Sequence, residues 1–234
     1  MICRLQQFGF QLAPEAARLG LTGAFLVIDG FRNRAGDPAF DKLLADTTRE
    51  VLASVTDEDP VLRGYRELHD AIGRSNKRFV AAPENLLRLV RRNGSLPRIN
   101  LLVDIYNLVS LKTRLALGAH DLARITGNVE LRLTRGTEPF HPLGVPQPTT
   151  VGEGEYAYID GSGEVLCRLE VRQCEKTKVT LETTGAFFII QGNRATLQPA
   201  LRAAGDELVR LVTAFCGGQA RWLHLSGESA PAKL

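Results

Sequence analysis

Between Ser95 and Thr126 the chain reads SLPRINLLVDIYNLVSLKTRLALGAHDLARIT, a strongly apolar run that carries polar residues at helical spacing. Asn100, Asp104, Asn107 and Ser110 share one side of a helix whose other sides are Leu101, Leu102, Ile105, Leu108 and Val109. Such a helix is buried nearly all round and must find partners for its polar stripe. An unpaired polar group in a dry interior costs about 1–3 kcal/mol, so the stripe either closes a hydrogen-bond network or borders a cavity. The expectation is the cavity: a hollow large enough to hold something.

With 234 residues, 44% hydrophobic and 24% charged, the chain can bury a core as one domain, or as one domain with an appendage. Its start, MICRLQQFGFQLAP, has no basic region followed by a continuous apolar stretch, and no run of 18 apolar residues follows. Neither secretion nor membrane spanning is expected. Cys3, Cys167, Cys174 and Cys216 are far apart and form no CxxC pair, so they read as reduced thiols of a cytoplasmic protein. The chain has no GxSxG elbow, Walker loop, HExxH or GxGxxG, and His69, His120, His141 and His224 lie in separate elements. Neither a metal nor a cofactor is expected.

Charge is unevenly spread. The net charge is +3, yet the segment from Arg63 to Arg98 alone is +6 and the remainder −3. Such a segment suits a phosphate backbone, because each cation that meets a phosphate releases condensed counterions. The candidate RNA-contacting residues are Arg74, Lys77, Arg78, Arg88, Arg91 and Arg92; a solvated helix face is the alternative.

Periodicity and punctuation predict the elements. Thr22 to Ile28 reads as a strand. Asp37-Pro38 opens a helix running to about Thr56, Asp59-Pro60 opens another ending at Gly73, and Pro83 opens a third ending at Gly94. The polar-striped helix follows. After Gly127 the period becomes that of strands. Val129 to Leu133, Glu155 to Asp160 and the alternating Cys167, Leu169 and Val171 are expected as strands, with Ala186 to Ile190 as a central one. On that alternation Arg168 and Glu170 share one strand face. Leu201 to Phe215 is a final helix before a Trp222–Leu225 strand, and the prolines 139, 142, 146 and 148 mark an irregular loop. The expected organisation is a strand and helical lead-in over 1–94 packed on a main domain over 95–225, with a disordered tail over 226–234.

The segment LPRINLLVDIYNLVSLKTRLALGAHDLARITGNVELR resembles the tRNA-editing module of the phenylalanyl-tRNA synthetase beta chain, and more closely that module's freestanding relatives. The landmarks are Leu96-Pro97, Ile99-Asn100, Val103 to Asn107, Gly118 to Leu122, Gly127, Gly154-Glu155, Asp160, Thr177 to Thr180 and Thr183-Thr184, in order; LRGYRELHDAIG and RFVAAPENLLR resemble the freestanding proteins' helical lead-in. The resemblance implies an α+β fold, with a mixed or antiparallel sheet flanked by helices, and a cleft for the aminoacylated 3′ end of tRNA. Ester hydrolysis there needs a positioned water, oxyanion stabilisation and a selective pocket, but no triad.

Carried over position by position, the family's asparagine is Asn107, and Tyr106 stands where the synthetase has a small hydroxyl. The synthetase's pocket histidine falls on Gly118, with His120 replacing an aromatic residue two places later. Its glycine-rich turn is replaced by Cys167 to Glu170, and its late glutamate falls near Gln191. Two readings follow. One is a freestanding deacylase that uses Asn107, His120 and Gln191 catalytically, with Asn100, Asp104, Tyr106, Gly118, Arg168 and Glu170 around the substrate. The other is a non-catalytic module holding tRNA or another nucleic acid through the basic 63–98 segment. Neither fixes the oligomeric state.

Overall fold

The computed structural model describes residues 8–56 and 58–227. Cys3 and most of the expected tail lie outside the described residues, whereas Ser226 and Gly227 form a turn. The elements in chain order are β1 (Phe10–Leu12), α1 (Pro14–Leu19), β2 (Thr22–Asp29), α2 (Pro38–Ser54), α3 (Pro60–Ala71), α4 (Ala82–Asn93), α5 (Leu101–Thr113) and β3 (Ala116–Asp121). A short 3₁₀ turn, Leu122–Arg124, leads to β4 (Val129–Leu133), β5 (Pro139–Phe140), β6 (Thr149–Thr150), β7 (Tyr156–Asp160), β8 (Val165–Arg168), β9 (Arg172–Gln173), β10 (Gly185–Gly192), α6 (Gln198–Cys216) and β11 (Gln219–Leu225).

The strands form two main sheets and a small β5–β6 ribbon. One sheet has the order β11-β2-β10-β3 and is antiparallel throughout; the other has the order β1-β4-β7-β8-β9, with β1 parallel to β4 and the remaining pairs antiparallel. This is an α+β architecture. β2, from the N-terminal part of the chain, is an inner strand between β11 and β10.

Alternation along β2 and β10 builds three layers. Ala24, Leu26, Ile28, Ala186, Phe188 and Ile190 face a core shared with α2, α4, α5 and α6. Phe25, Val27, Phe187 and Ile189 point the other way, into a second core against Leu131, Tyr156, Tyr158 and Leu166 of the five-stranded sheet. Each fully buried Phe contributes about 2–3 kcal/mol of apolar burial, so register is firmly fixed: a one-residue slip would exchange the two faces. The same parity sends Gln191 into the space between the sheets.

The helix starts follow their caps. Asp37 accepts from the amides of Ala39 and Phe40, and Asp59 from those of Val61 and Leu62, each ahead of a proline in the first turn. Asn100 caps α5 through the Val103 amide. The expected strand through Val171 is corrected: β8 stops at Arg168 and the chain turns at Leu169, whose φ of 53° is left-handed, before β9. A left-handed non-glycine residue is uncommon, and this one is buried among core side chains that hold it there.

Candidate nucleic-acid interface and polar interior

The polar stripe of α5 is mostly closed. Asn100 accepts from Val103 N at 3.1 Å and from the Asn33 amide at 3.0 Å; Asp104 is paired with Arg98 at 2.7 Å and accepts from Ile99 N at 3.1 Å; Ser110 donates to Leu115 O at 2.6 Å. The expectation that the stripe borders a hollow is therefore corrected for three of its four members: they tie down backbone at the two ends of α5. Asn107 is half-buried and has no hydrogen-bond partner among the described residues. Tyr106 is buried, and burial pushes its hydroxyl pKa above the usual range.

Between the sheets lies a second polar group. Glu170 receives His69 Nε2 at 2.6 Å, the Tyr156 hydroxyl at 2.6 Å and the Gln191 amide at 2.9 Å. Gln191 Oε1 accepts from Tyr158 at 2.7 Å, its backbone carbonyl accepts from Tyr65 at 2.5 Å, and Tyr65 in turn accepts from Ala116 N. Burial opposes charge on His69, but the hydrogen bond to Glu170, the charge of Glu170 and the hydrogen bonds to Asn76 and the Phe79 backbone together outweigh it and raise its pKa. Burial, with the Glu170 charge adding to it, holds the Tyr65 and Tyr156 hydroxyls well above the usual range, so both stay neutral donors. Each of these side chains has at least one partner within the network.

Arg168 and Glu170 do not share a face. The left-handed Leu169 sends Glu170 inward, while Arg168 forms a bidentate pair with Glu155 at 2.5 and 2.7 Å. Gly118 and His120 face the five-stranded sheet from β3. A Cβ on Gly118 would collide with the Gln173 side-chain amide. His120 meets Thr177 Oγ1 at 2.7 Å through Nδ1, while its Nε2 is buried without a partner; burial lowers its pKa to about 3. The sequence-derived site residues thus fall into separate groups, with Asn100 and Asp104 in the helical layer and His120, Glu170 and Gln191 between the sheets.

Two cavities open elsewhere. One, of about 740 Å³, lies at the sheet ends among Phe8, Asp29, Asp121, the 122–128 loop, Glu182 and Thr184; a shallower one of about 550 Å³ lies along β1, β4 and the end of β7. Among the described residues no group of three or more His, Cys, Asp or Glu is placed to hold a metal, and no helix is long and apolar enough to cross a membrane.

The basic segment assembles differently from a simple solvated face. Buried Glu155 is gripped by two guanidiniums, Arg74 at 2.7 Å and Arg168. Burial alone would raise its pKa, but the hydrogen bonds from Arg168 and Arg74 hold it below the usual carboxylate range. Buried Glu84 is likewise gripped by Arg66 at 3.0 Å and Arg88 at 2.6 Å. Each cluster carries one more positive than negative charge. Between them the α3–α4 loop exposes Lys77 and Arg78, which make no ion pair among the described residues. The loop is pinned by Asn76, which donates to Arg66 O and to Asp70 and meets His69 Nδ1 at 3.1 Å. Farther along α4, Arg91 donates to Val55 O and Arg92 to Asn93 Oδ1. Sequence alone missed Arg66, Arg168 and the two anchoring glutamates as parts of this surface, because nothing local marks Glu155 and Arg168 as neighbours of Arg74.

Two sheets packed around a buried polar network beside a helical layer, with two buried glutamates each holding a pair of arginines, define the class. The family model of the B3/4 domain matches residues 64–217, and the chain belongs to that family. It is also similar in fold to an N-terminal fragment of the phenylalanyl-tRNA synthetase beta-subunit from Pyrococcus horikoshii, with a TM-score of 0.50 and 18% identity, over 92% of this chain and 50% of that one. The chain thus spans about half the length of that fragment. No curated protein matches it.

Proposed function

We propose that this B3/4 domain is a tRNA-binding module that engages the RNA backbone through Arg74, Lys77, Arg78, Arg88, Arg91 and Arg92, with Arg66 and Arg168 completing the surface. The observation that carries the reading is the pair of clusters in which a buried glutamate holds two arginines. Guanidiniums fixed in this way lose little entropy on meeting phosphate, and their surplus charge remains for a polyanion. Binding to unacylated tRNA, followed by fluorescence anisotropy at rising salt, tests it. Affinity should fall steeply between 50 and 200 mM salt, and the Lys77→Ala, Arg78→Ala double variant should flatten the log–log slope by about two. A salt-independent affinity, or none at 50 mM salt, overturns the proposal.

A second reading, hydrolysis of a mischarged aminoacyl-tRNA ester, is favoured by one observation. The 740 Å³ cavity beside Asp121 has room for an aminoacyl group, and it lies where the resemblance sets the Gly118–Leu122 and Gly127 landmarks. Asn107 does not line this cavity, but its side chain is uncommitted and the resemblance makes it the residue to vary. A panel of aminoacyl-tRNAs offered to wild type and Asn107→Ala separates the readings: the binding module releases no amino acid from any member, whereas a deacylase releases at least one.

A further inference from the structure

Phe79 lies in the α3–α4 loop, next to Lys77 and Arg78. Its ring is half-buried against the inter-sheet core, and two guanidiniums flank it, with Arg168 Cζ 4.9 Å and Arg78 Cζ 5.6 Å from the ring centroid. Arg168 is locked to Glu155 as well as packed on the ring, whereas the Arg78 guanidinium rests on the ring, with the backbone amides of Arg78 and Phe79 both donating to Ser75 O. The result is one aromatic ring with two guanidiniums packed on it, Arg168 fixed and Arg78 adjustable, bordered by Lys77 and by the exposed Arg172 that pairs with Arg168 across β8 and β9.

We propose that this group receives an unpaired nucleobase, so that the face selects single-stranded RNA over a duplex. This rests on the nucleic-acid reading above and deepens it. The face of a base stacks on a guanidinium plane as it does on an aromatic ring, and here the ring backs two such planes beside cations that can hold the flanking phosphates. In a duplex the base faces are consumed by their neighbours, leaving only phosphate for this surface to contact.

The test compares an unstructured RNA of about 12 nucleotides, within the site size of single-strand binders, with a duplex of the same sequence, using wild type, Phe79→Leu and Phe79→Tyr. Wild type should prefer the single strand. Phe79→Leu, which keeps the apolar packing, should weaken single-strand binding roughly 5- to 100-fold and leave duplex binding unchanged, while Phe79→Tyr retains wild-type affinity. If Phe79→Leu stays within twofold of wild type on the single strand while Lys77→Ala, Arg78→Ala weakens both ligands, stacking is refuted and the cationic-face reading survives. Absence of binding to either RNA by the wild type defeats both. Matched thermal transitions of the variants exclude unfolding as the cause of any loss.

Discussion

The network around Glu170 and the arginine clusters around Glu155 and Glu84 are built from the same kind of part, a buried carboxylate with cationic or polar donors, yet they end differently. Glu170 is 5% exposed and meets partners that are themselves buried: His69, Tyr156 and Gln191. Its charge is spent inside. Glu155 and Glu84 meet arginines whose guanidiniums reach the surface and outnumber them. A buried acid can therefore serve either to close an interior or to set out surface charge, and what decides is the ratio of cations to carboxylates rather than the depth of the acid.

That comparison can be broken most sharply at Glu170. Glu170→Ala leaves His69, the Tyr156 hydroxyl and the Gln191 amide without their acceptor, and should cost about 3–5 kcal/mol in urea unfolding; a loss below 1 kcal/mol would mean that the interior is not closed in the way described. The histidines sharpen the contrast through pH. For His120 the folded pKa is about 3, below the unfolded value near 6.5. The unfolded state therefore binds the extra proton between these values, and this residue's contribution falls as pH drops through that window. His69 has the opposite sign: its folded pKa is raised, so its contribution is complete below about pH 6.5 and is lost as pH rises through the folded value. Urea titrations should show a shallower acid-side decline in His120→Phe and a shallower alkaline-side decline in His69→Gln, each relative to wild type.

At the end of α5, Asn100→Ala removes the cap and the Asn33 contact, and a loss of about 1 kcal/mol is expected in thermal unfolding. The smallest effect on stability belongs to the open face. Lys77→Ala with Arg78→Ala should shift stability by less than about 0.5 kcal/mol while reducing affinity for RNA. A larger destabilisation would show that these cations also hold the fold together.

Much of the frame was legible in the sequence because it is locally encoded. Asp37-Pro38 and Asp59-Pro60 marked helix starts that their caps explain, and the apolar Ala186–Ile190 run identified the inner strand β10. The period-two reading failed at Leu169, where a left-handed residue reverses the chain without a glycine to announce it. The short β1 and its parallel pairing with β4 gave no periodic signal, since three residues are too few to carry one. Within the candidate site, the basic segment was visible as composition, but its anchors were not. Glu155 and Arg74 are 81 residues apart, and only the meeting of the α3–α4 loop with the start of β7 makes them partners. The α5 stripe was seen correctly as polar residues at helical spacing; which partners would satisfy it depended on Asn33 and Arg98, outside the helix itself.

Gly118 and Gln173 form an exchange of bulk across the gap between sheets. The glycine does not have a positive φ, so its backbone would accept any residue; what bars a larger one is the glutamine amide already standing there. Histidine at 118, the residue that the synthetase's pattern would put there, therefore requires the Gln173 side chain to move aside, and Gln173→Ala vacates the spot. The two positions share one space, so the size tolerated at 118 is set by where the Gln173 amide stands, and Gln173→Ala should widen the range of residues that position 118 accepts.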